Sequence, residues 1–149
     1  MDLRERLAAQ GKAPAVNPKA AFGGKKPRLT LIPLTAQLAQ QEAHLDGALK
    51  YGEVNWREVE IQYKTYADAA LRHLMLAIHG EEQARDTKVS NLGAVMACCA
   101  ILIDSAAHGT LVDNRDHSPT ACDALHSAET MVQHLKQMQE VRDGTNQSS

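Results

Sequence analysis

Apolar residues recur along this chain at three- and four-residue steps, the spacing that gathers side chains on one face of a helix. Leu34, Leu38, Leu45, Ala48 and Leu49 form the first such stripe. Pro33 suits a first helical turn and Gly52 suits a left-handed stop, so a helix is predicted over about 34–50. A second stripe runs through Trp56, Val59, Tyr63, Tyr66, Ala67, Ala70, Leu71, Leu74, Met75 and Ile78. Asn55 followed by Glu58 has the form of a capping box, which predicts one long helix from Asn55 to Gly80 with free N–H groups at its start. In the third run, Leu92, Val95, Met96, Cys99, Leu102, Ile103 and Ala106 make one stripe while Ala94, Ala97, Cys98 and Ile101 make the other faces apolar too. That pattern predicts a central helix covered by neighbours or by a second subunit. Ser118 and Pro119 read as an N-cap and first helical residue, and Leu125, Ala128, Val132, Leu135 and Met138 carry a last helix to a stop at Gly144.

Composition agrees with helix throughout. Aromatic residues are 3 % of the chain against 44 % hydrophobic, and helix formers outnumber β-branched residues. The expected fold is all-α, a compact bundle of four to five helices, and oligomeric because the central helix is apolar all round. Residues 1–25 are expected to be a flexible basic arm, 26–143 the helical domain, and 144–149 a disordered tail. Arg4, Arg6, Lys12, Lys19, Lys25, Lys26 and Arg28 make the start of the chain basic, yet the net charge of −2 gives no overall pull toward nucleic acid. The longest apolar stretch, Leu92–Ile103, is shorter than the roughly 20 residues of a bilayer crossing. No membrane partner is therefore expected, and a cytoplasmic location is. Cys98, Cys99 and Cys122 have no CxxC spacing and read as small core residues.

Phosphate-loop, dinucleotide, HExxH and nucleophile-elbow signatures are absent. Two patches remain. Lys50–Tyr51–Gly52–Glu53–Val54–Asn55–Trp56–Arg57 packs cations, two aromatics and an amide into one connection. Trp56 can stack on a purine or anchor the core, and Lys50 and Arg57 can bind phosphate or sit as surface charges; the residues alone leave both readings open. The second patch comprises Arg72 and His73, then Glu81, Glu82 and Asp86. Its carboxylates are the oxygen ligands that a hard cation such as Mg²⁺ takes, or else an exposed charged loop. His73 reads either as a structural histidine or as a ligand or base.

Lys26–Pro27, Leu29–Pro33, Lys50–Tyr51–Gly52, Asn55–Trp56–Arg57, Asp68–Leu74, Gly80–Glu81 and Met96–Leu102 follow one another as in the phage-type dATP/dGTP diphosphohydrolase domain, which residues 26–104 resemble. The resemblance implies a helical, metal-dependent relative of the MazG-type pyrophosphohydrolases that takes a purine deoxynucleoside triphosphate to its monophosphate. It further implies that Glu81 and Asp86, with Glu82 and Asp68, hold Mg²⁺ or Mn²⁺ and that His73 belongs to the catalytic set. Lys50, Arg57 and Arg72 would neutralise phosphate, Trp56 and Tyr51 would flank the base, and Gly52 and Asn55 would shape the nucleotide-binding turn. A phage protein would meet its substrate in the host cytoplasm.

The chain departs from the family pattern after Glu81. Ala84 stands where an acidic residue is usual, and Asn91 and Ala94 stand where histidines are common. Two functions are therefore expected in competition. One is a diphosphohydrolase; the other is a catalytically impaired protein that sequesters a nucleotide or cyclic nucleotide. A third possibility is an oligomeric module in which the Lys50–Arg57 connection has no ligand.

Overall fold

The computed structural model describes residues 1–11 and 17–146. Its helices are α1 (Leu3–Ala9), α2 (Pro18–Gly23), α3 (Leu34–Tyr51), α4 (Tyr63–Ile78), α5 (Asn91–His108) and α6 (Pro119–Asn146). Two-residue strands β1 (Ile61–Gln62) and β2 (Leu111–Val112) pair in parallel, with Ile61 opposite Leu111 and Gln62 opposite Val112. The all-α expectation holds. At the centre, α5 packs against α3 on one side and α4 on the other.

Small residues line the α3–α5 seam. The inward face of α3 is Ala36, Ala39, Ala43 and Gly47, and α5 answers with Gly93 and Ala97, both buried. A Cβ built on Gly93 would lie 2.3 Å from the Ala39 carbonyl oxygen and 2.8 Å from its carbon, so the two backbones approach as closely as a side-chain hydrogen permits. Ser90 caps α5 by accepting from the Gly93 amide at 3.1 Å, and Gly109, at φ +75°, ends it in the left-handed conformation. Length and composition alone would let α5 cross a bilayer. Its place between two helices buries Gly93 and Ala97 but leaves Leu92 and Ile103 exposed.

With small residues inside, the large apolar ones face outward. Leu34, Leu45 and Leu49 of the predicted α3 stripe are 69 %, 50 % and 81 % exposed, and Leu71, Met75 and Ile78 of α4 and Ile103 of α5 are exposed as well. The periodicity was sound, but the alanine face rather than the leucine face meets α5. Every described side chain of α6 is exposed, including Leu125, Val132, Leu135 and Met138. The accessible surface, 12225 Å², well exceeds the roughly 7,500 Å² expected of a compact monomer of 16.2 kDa.

The second predicted helix begins later than its stripe. Asn55–Arg57 form a single 3-10 turn, β1 follows, and α4 starts only at Tyr63. Asn55 makes no side-chain cap there; instead Asn114, from the loop after β2, accepts from the Lys64 amide at 2.9 Å and caps α4 from a distance. Ile61, 4 % exposed, donates its N–H to the Thr110 carbonyl, and this strand contact interrupts the helix. Within the expected arm, α1 and α2 are short exposed helices, while residues 12–16 lie outside the described residues. Helix α6 runs through Gly144 to Asn146, past the predicted stop, and 147–149 lie outside the described residues.

Gly93→Ala tests the seam. In an exposed helix this change would gain about 1 kcal/mol from propensity. Here the new methyl meets backbone atoms that cannot swing aside, and we expect a net loss of about 3 kcal/mol. Urea unfolding monitored by circular dichroism reads it, and an unchanged or higher midpoint refutes the close approach.

Candidate functional site

Three helix faces converge on a cavity of about 290 Å³. From α3 come Ala43, His44, Gly47, Lys50 and Tyr51; from α4, Tyr66, Ala69 and His73; from α5, Ala94, Ala97, Cys98 and Ile101. Within each set the spacing keeps side chains on one side of a helix. Asn55 and Trp56 close one end, and Ala84, Thr87 and Val89 from the loop before α5 close the other. The volume sits at the lower end of the range for small-molecule pockets, on the order of 300 Å³. Burial pushes the Tyr66 hydroxyl and the Cys98 thiol above their ordinary values and the His44 imidazole below its own, so the walls favour neutral groups.

Trp56 is held on two sides. Its indole N–H donates to Asp104 Oδ2 at 2.6 Å, and its carbonyl accepts from the Thr110 hydroxyl at 2.6 Å. Arg57 completes a fork on the same carboxylate, with Nε 2.7 Å from Oδ2 and Nη2 3.1 Å from Oδ1. The Arg57 and Trp56 donors hold the Asp104 carboxyl down at about 2. One ring face of Trp56 leans on His44, centroids 5.5 Å apart and planes tilted by 42°. The connection itself is strained, because Val54 adopts φ 47°, a left-handed conformation that a β-branched residue rarely takes.

Of the residues predicted for nucleotide binding, Lys50, Tyr51, Asn55 and Trp56 line the cavity. Gly52 serves the chain path, ending α3 at φ +96°. Arg57 is committed to Asp104, and Arg72 lies on an outer groove with Leu71, Met75, Leu76 and His79. Lys50 is the one Lys or Arg among the described lining residues, and its Nζ is 2.7 Å from Asp46.

Of the predicted catalytic and metal-binding residues, His73 lines the cavity. Its Nδ1 is 2.7 Å from Oδ1 of Asn91, whose Nδ2 donates to the Glu81 carbonyl at 2.6 Å. The Glu81 carboxylate turns instead to Arg85, Nε to Oε2 2.8 Å. Asp86 is exposed; amide donors from Thr87 and from its own backbone, then the charges of Lys50 and His73, hold its carboxyl below the ordinary value. Glu82 and Asp68 are exposed and stand outside the cavity lining. Among the described residues, no three His, Cys, Asp or Glu side chains gather as metal ligands would.

Sequence reasoning passed over His44, Tyr66 and Asp104. Stepping back from Lys50 and Tyr51 by helical periods would have reached Gly47, His44 and Ala43. Asp104 had no comparable signal, since its partners lie 48 and 47 residues away.

The chain's single tryptophan reports on the Asp104 clamp. A carboxylate with a depressed folded-state pKa contributes stability above its ordinary value, 3.8, and loses it as pH falls toward about 2. Below the range in which His44, against the ring, takes up its proton, Trp56 fluorescence should therefore stay level through pH 3.8 and change toward pH 2, and Asp104→Asn should abolish that last step. A transition centred on 3.8 in the unmodified chain refutes the clamp.

Comparison with known proteins matches residues 16–115 to the family described as dATP/dGTP diphosphohydrolase, N-terminal. No curated protein and no solved structure matches. The matched segment contains every residue that lines the cavity, from Ala43 to Ile101, as well as Asp104. With about two thirds of its length covered by that match, the chain belongs to the dATP/dGTP diphosphohydrolase N-terminal family.

Proposed function

We propose that the cavity takes the base and sugar of a purine nucleoside triphosphate of the dGTP or dATP class, and that the chain converts it to the monophosphate and pyrophosphate. The observation that carries this reading is Trp56, an aromatic plane fixed at its edge by Asp104 and set in the wall of a cavity where Ala43, Gly47, Ala69, Ala94 and Ala97 leave room. A purine stacks on such a plane at little entropic cost, because the ring is already immobilised. Tyr51 lines the same cavity, and Lys50 supplies the positive charge toward which the phosphates extend. In the reaction, water oxygen bonds to the α-phosphorus as its bond to the bridging oxygen breaks, and pyrophosphate departs.

Glu81, Glu82 and Asp86 do not form a ligand group in this subunit. Glu81 is engaged by Arg85, and the three carboxylates do not converge among the described residues, so the residues as they stand do not fit a Mg²⁺ site. A second reading, binding without cleavage, has its own support: Ala84 and Ala94 put methyl groups into the cavity wall where the family resemblance leads one to expect a carboxylate and an imidazole. The outward leucine faces and the bare α6 further support assembly with other copies of the chain.

Incubation with each dNTP, with and without Mg²⁺ or Mn²⁺, separates the readings. We expect pyrophosphate and monophosphate from dGTP or dATP, quenching of Trp56 fluorescence on binding, and a loss of affinity of about 10- to 100-fold in Lys50→Ala. Recovery of tightly bound, intact nucleotide supports the binding protein instead. Absence of both binding and product overturns nucleotide handling altogether. In sedimentation, a molar mass of one chain at micromolar concentration would refute the assembly.

A further inference from the structure

Asn91 is the first residue of α5 and has no exposed surface at all. A buried primary amide must satisfy both its ends, and here each end has one partner. The Glu81 carbonyl, 2.6 Å away, can only accept, so the atom facing it must be the amide nitrogen. The atom facing His73 Nδ1 at 2.7 Å is therefore the amide oxygen, which can only accept in turn. The proton between them belongs to Nδ1. In the neutral ring Nε2 then carries the lone pair, and His73 lines the cavity. Among the described residues no hydrogen-bond partner for Nε2 is found, whereas His44, the other cavity histidine, has its Nε2 3.4 Å from Gln40.

The amide is itself fixed in place. The Asn91 backbone N–H donates to the Glu82 carbonyl at 2.9 Å, and Gly93, two residues on, is pressed against Ala39. Little freedom is left for the side chain to turn. We propose that Asn91 is a positioning residue: it locks His73 in the Nδ1–H tautomer, which offers the Nε2 lone pair to whatever occupies the cavity, a water or a donor group of the nucleotide. Its role in catalysis rests on the diphosphohydrolase reading, in which Nε2 accepts the proton of the attacking water. The tautomer itself does not depend on that reading. A free histidine side chain in water favours the opposite form, with the proton on Nε2, so the assignment is a departure that can be measured.

Long-range ¹H–¹⁵N correlation on the full-length, ¹⁵N-labelled chain at about pH 8, where an ordinary histidine is neutral, reads the two ring nitrogens directly. His73 signals are assigned by their loss in His73→Gln. We expect Nδ1 to be protonated and Nε2 to show the shift of a bare ring nitrogen. Asn91→Asp keeps an acceptor for Nδ1–H but sets an oxygen against the Glu81 carbonyl. It should lower stability yet leave Nδ1 protonated, because the retained acceptor rather than the stability of the fold sets the tautomer. Asn91→Leu, where it folds, should let the proton move to Nε2 and lower kcat by about 100-fold with little change in KM. A wild-type chain with the proton on Nε2, or an Asn91→Leu chain that keeps it on Nδ1, overturns the proposal. If Asn91→Leu does not fold, the wild-type spectrum and the Asn91→Asp spectrum decide between them. A wild type that hydrolyses no nucleotide but shows Nδ1–H retires the hydrolase reading and leaves the positioning intact.

Discussion

The contact between Gly93 and the Ala39 backbone sets the geometry on which everything else depends. Because no Cβ intervenes, α5 lies against α3 at backbone distance, and the seam can be continued only by residues as small as Ala36, Ala43, Gly47 and Ala97. A seam of that kind buries little apolar area for its length, so it stabilises by close van der Waals packing rather than by bulk. It also fixes the N-terminal end of α5, where Ser90 caps the helix and Asn91 reaches His73 on α4. The cavity opens along this seam, where Ala43, Gly47 and Ala97 leave room and the larger rings of Tyr66 and Trp56 border it.

Charge in the Lys50–Arg57 connection is distributed by the same economy of space. Arg57 and the Trp56 indole share one carboxylate on α5, so a cation that composition would assign to a phosphate is used to orient an aromatic ring. Lys50 has a local partner in Asp46, one turn back on α3, but both line the cavity mouth and are partly exposed. An ion pair of that type is weak in water and exchanges readily for a more highly charged anion. Val54 holds its strained conformation between these two anchored ends, as expected of backbone that is over-determined by its surroundings.

Helical periodicity made most of this fold legible. It found α3, α5 and α6 within a few residues and identified the connection that carries Trp56. It could not tell which face of α3 turns inward, because both an alanine face and a leucine face repeat at the same period, and hydrophobicity alone favours the leucines. The choice is made by distance: α5 comes too near for Leu38 or Leu45 to fit. Likewise, Asn55 and Glu58 have the spacing of a capping box, yet the pairing of Ile61 with Leu111 occupies the segment as strand, and Asn114 caps α4 from fifty residues away. Contacts of that range leave no local signature. The same limit hid Asp104 and made Asn91 look like a lost histidine rather than the partner of one.

Electrostatics separates the two readings of the site more sharply than shape does. A cavity of about 290 Å³ with apolar walls can hold a base and sugar by stacking and exclusion of water, and nothing in that requires a cation. A triphosphate brings several negative charges, against which the described cavity sets Lys50, already shared with Asp46, while Arg57 is spent on Asp104 and Arg72 lies outside. One lysine cannot neutralise the charge that builds as pyrophosphate leaves. Cleavage therefore needs positive charge beyond what the described cavity supplies, either a divalent ion or basic groups on another copy of the chain. Binding of a smaller or less charged purine nucleotide needs neither. The exposed Leu45 and Leu49 of α3 border a groove that shares Asp46, Thr87 and Val89 with the cavity wall, so a neighbouring copy docked there would stand close enough to alter which of these two demands the site can meet.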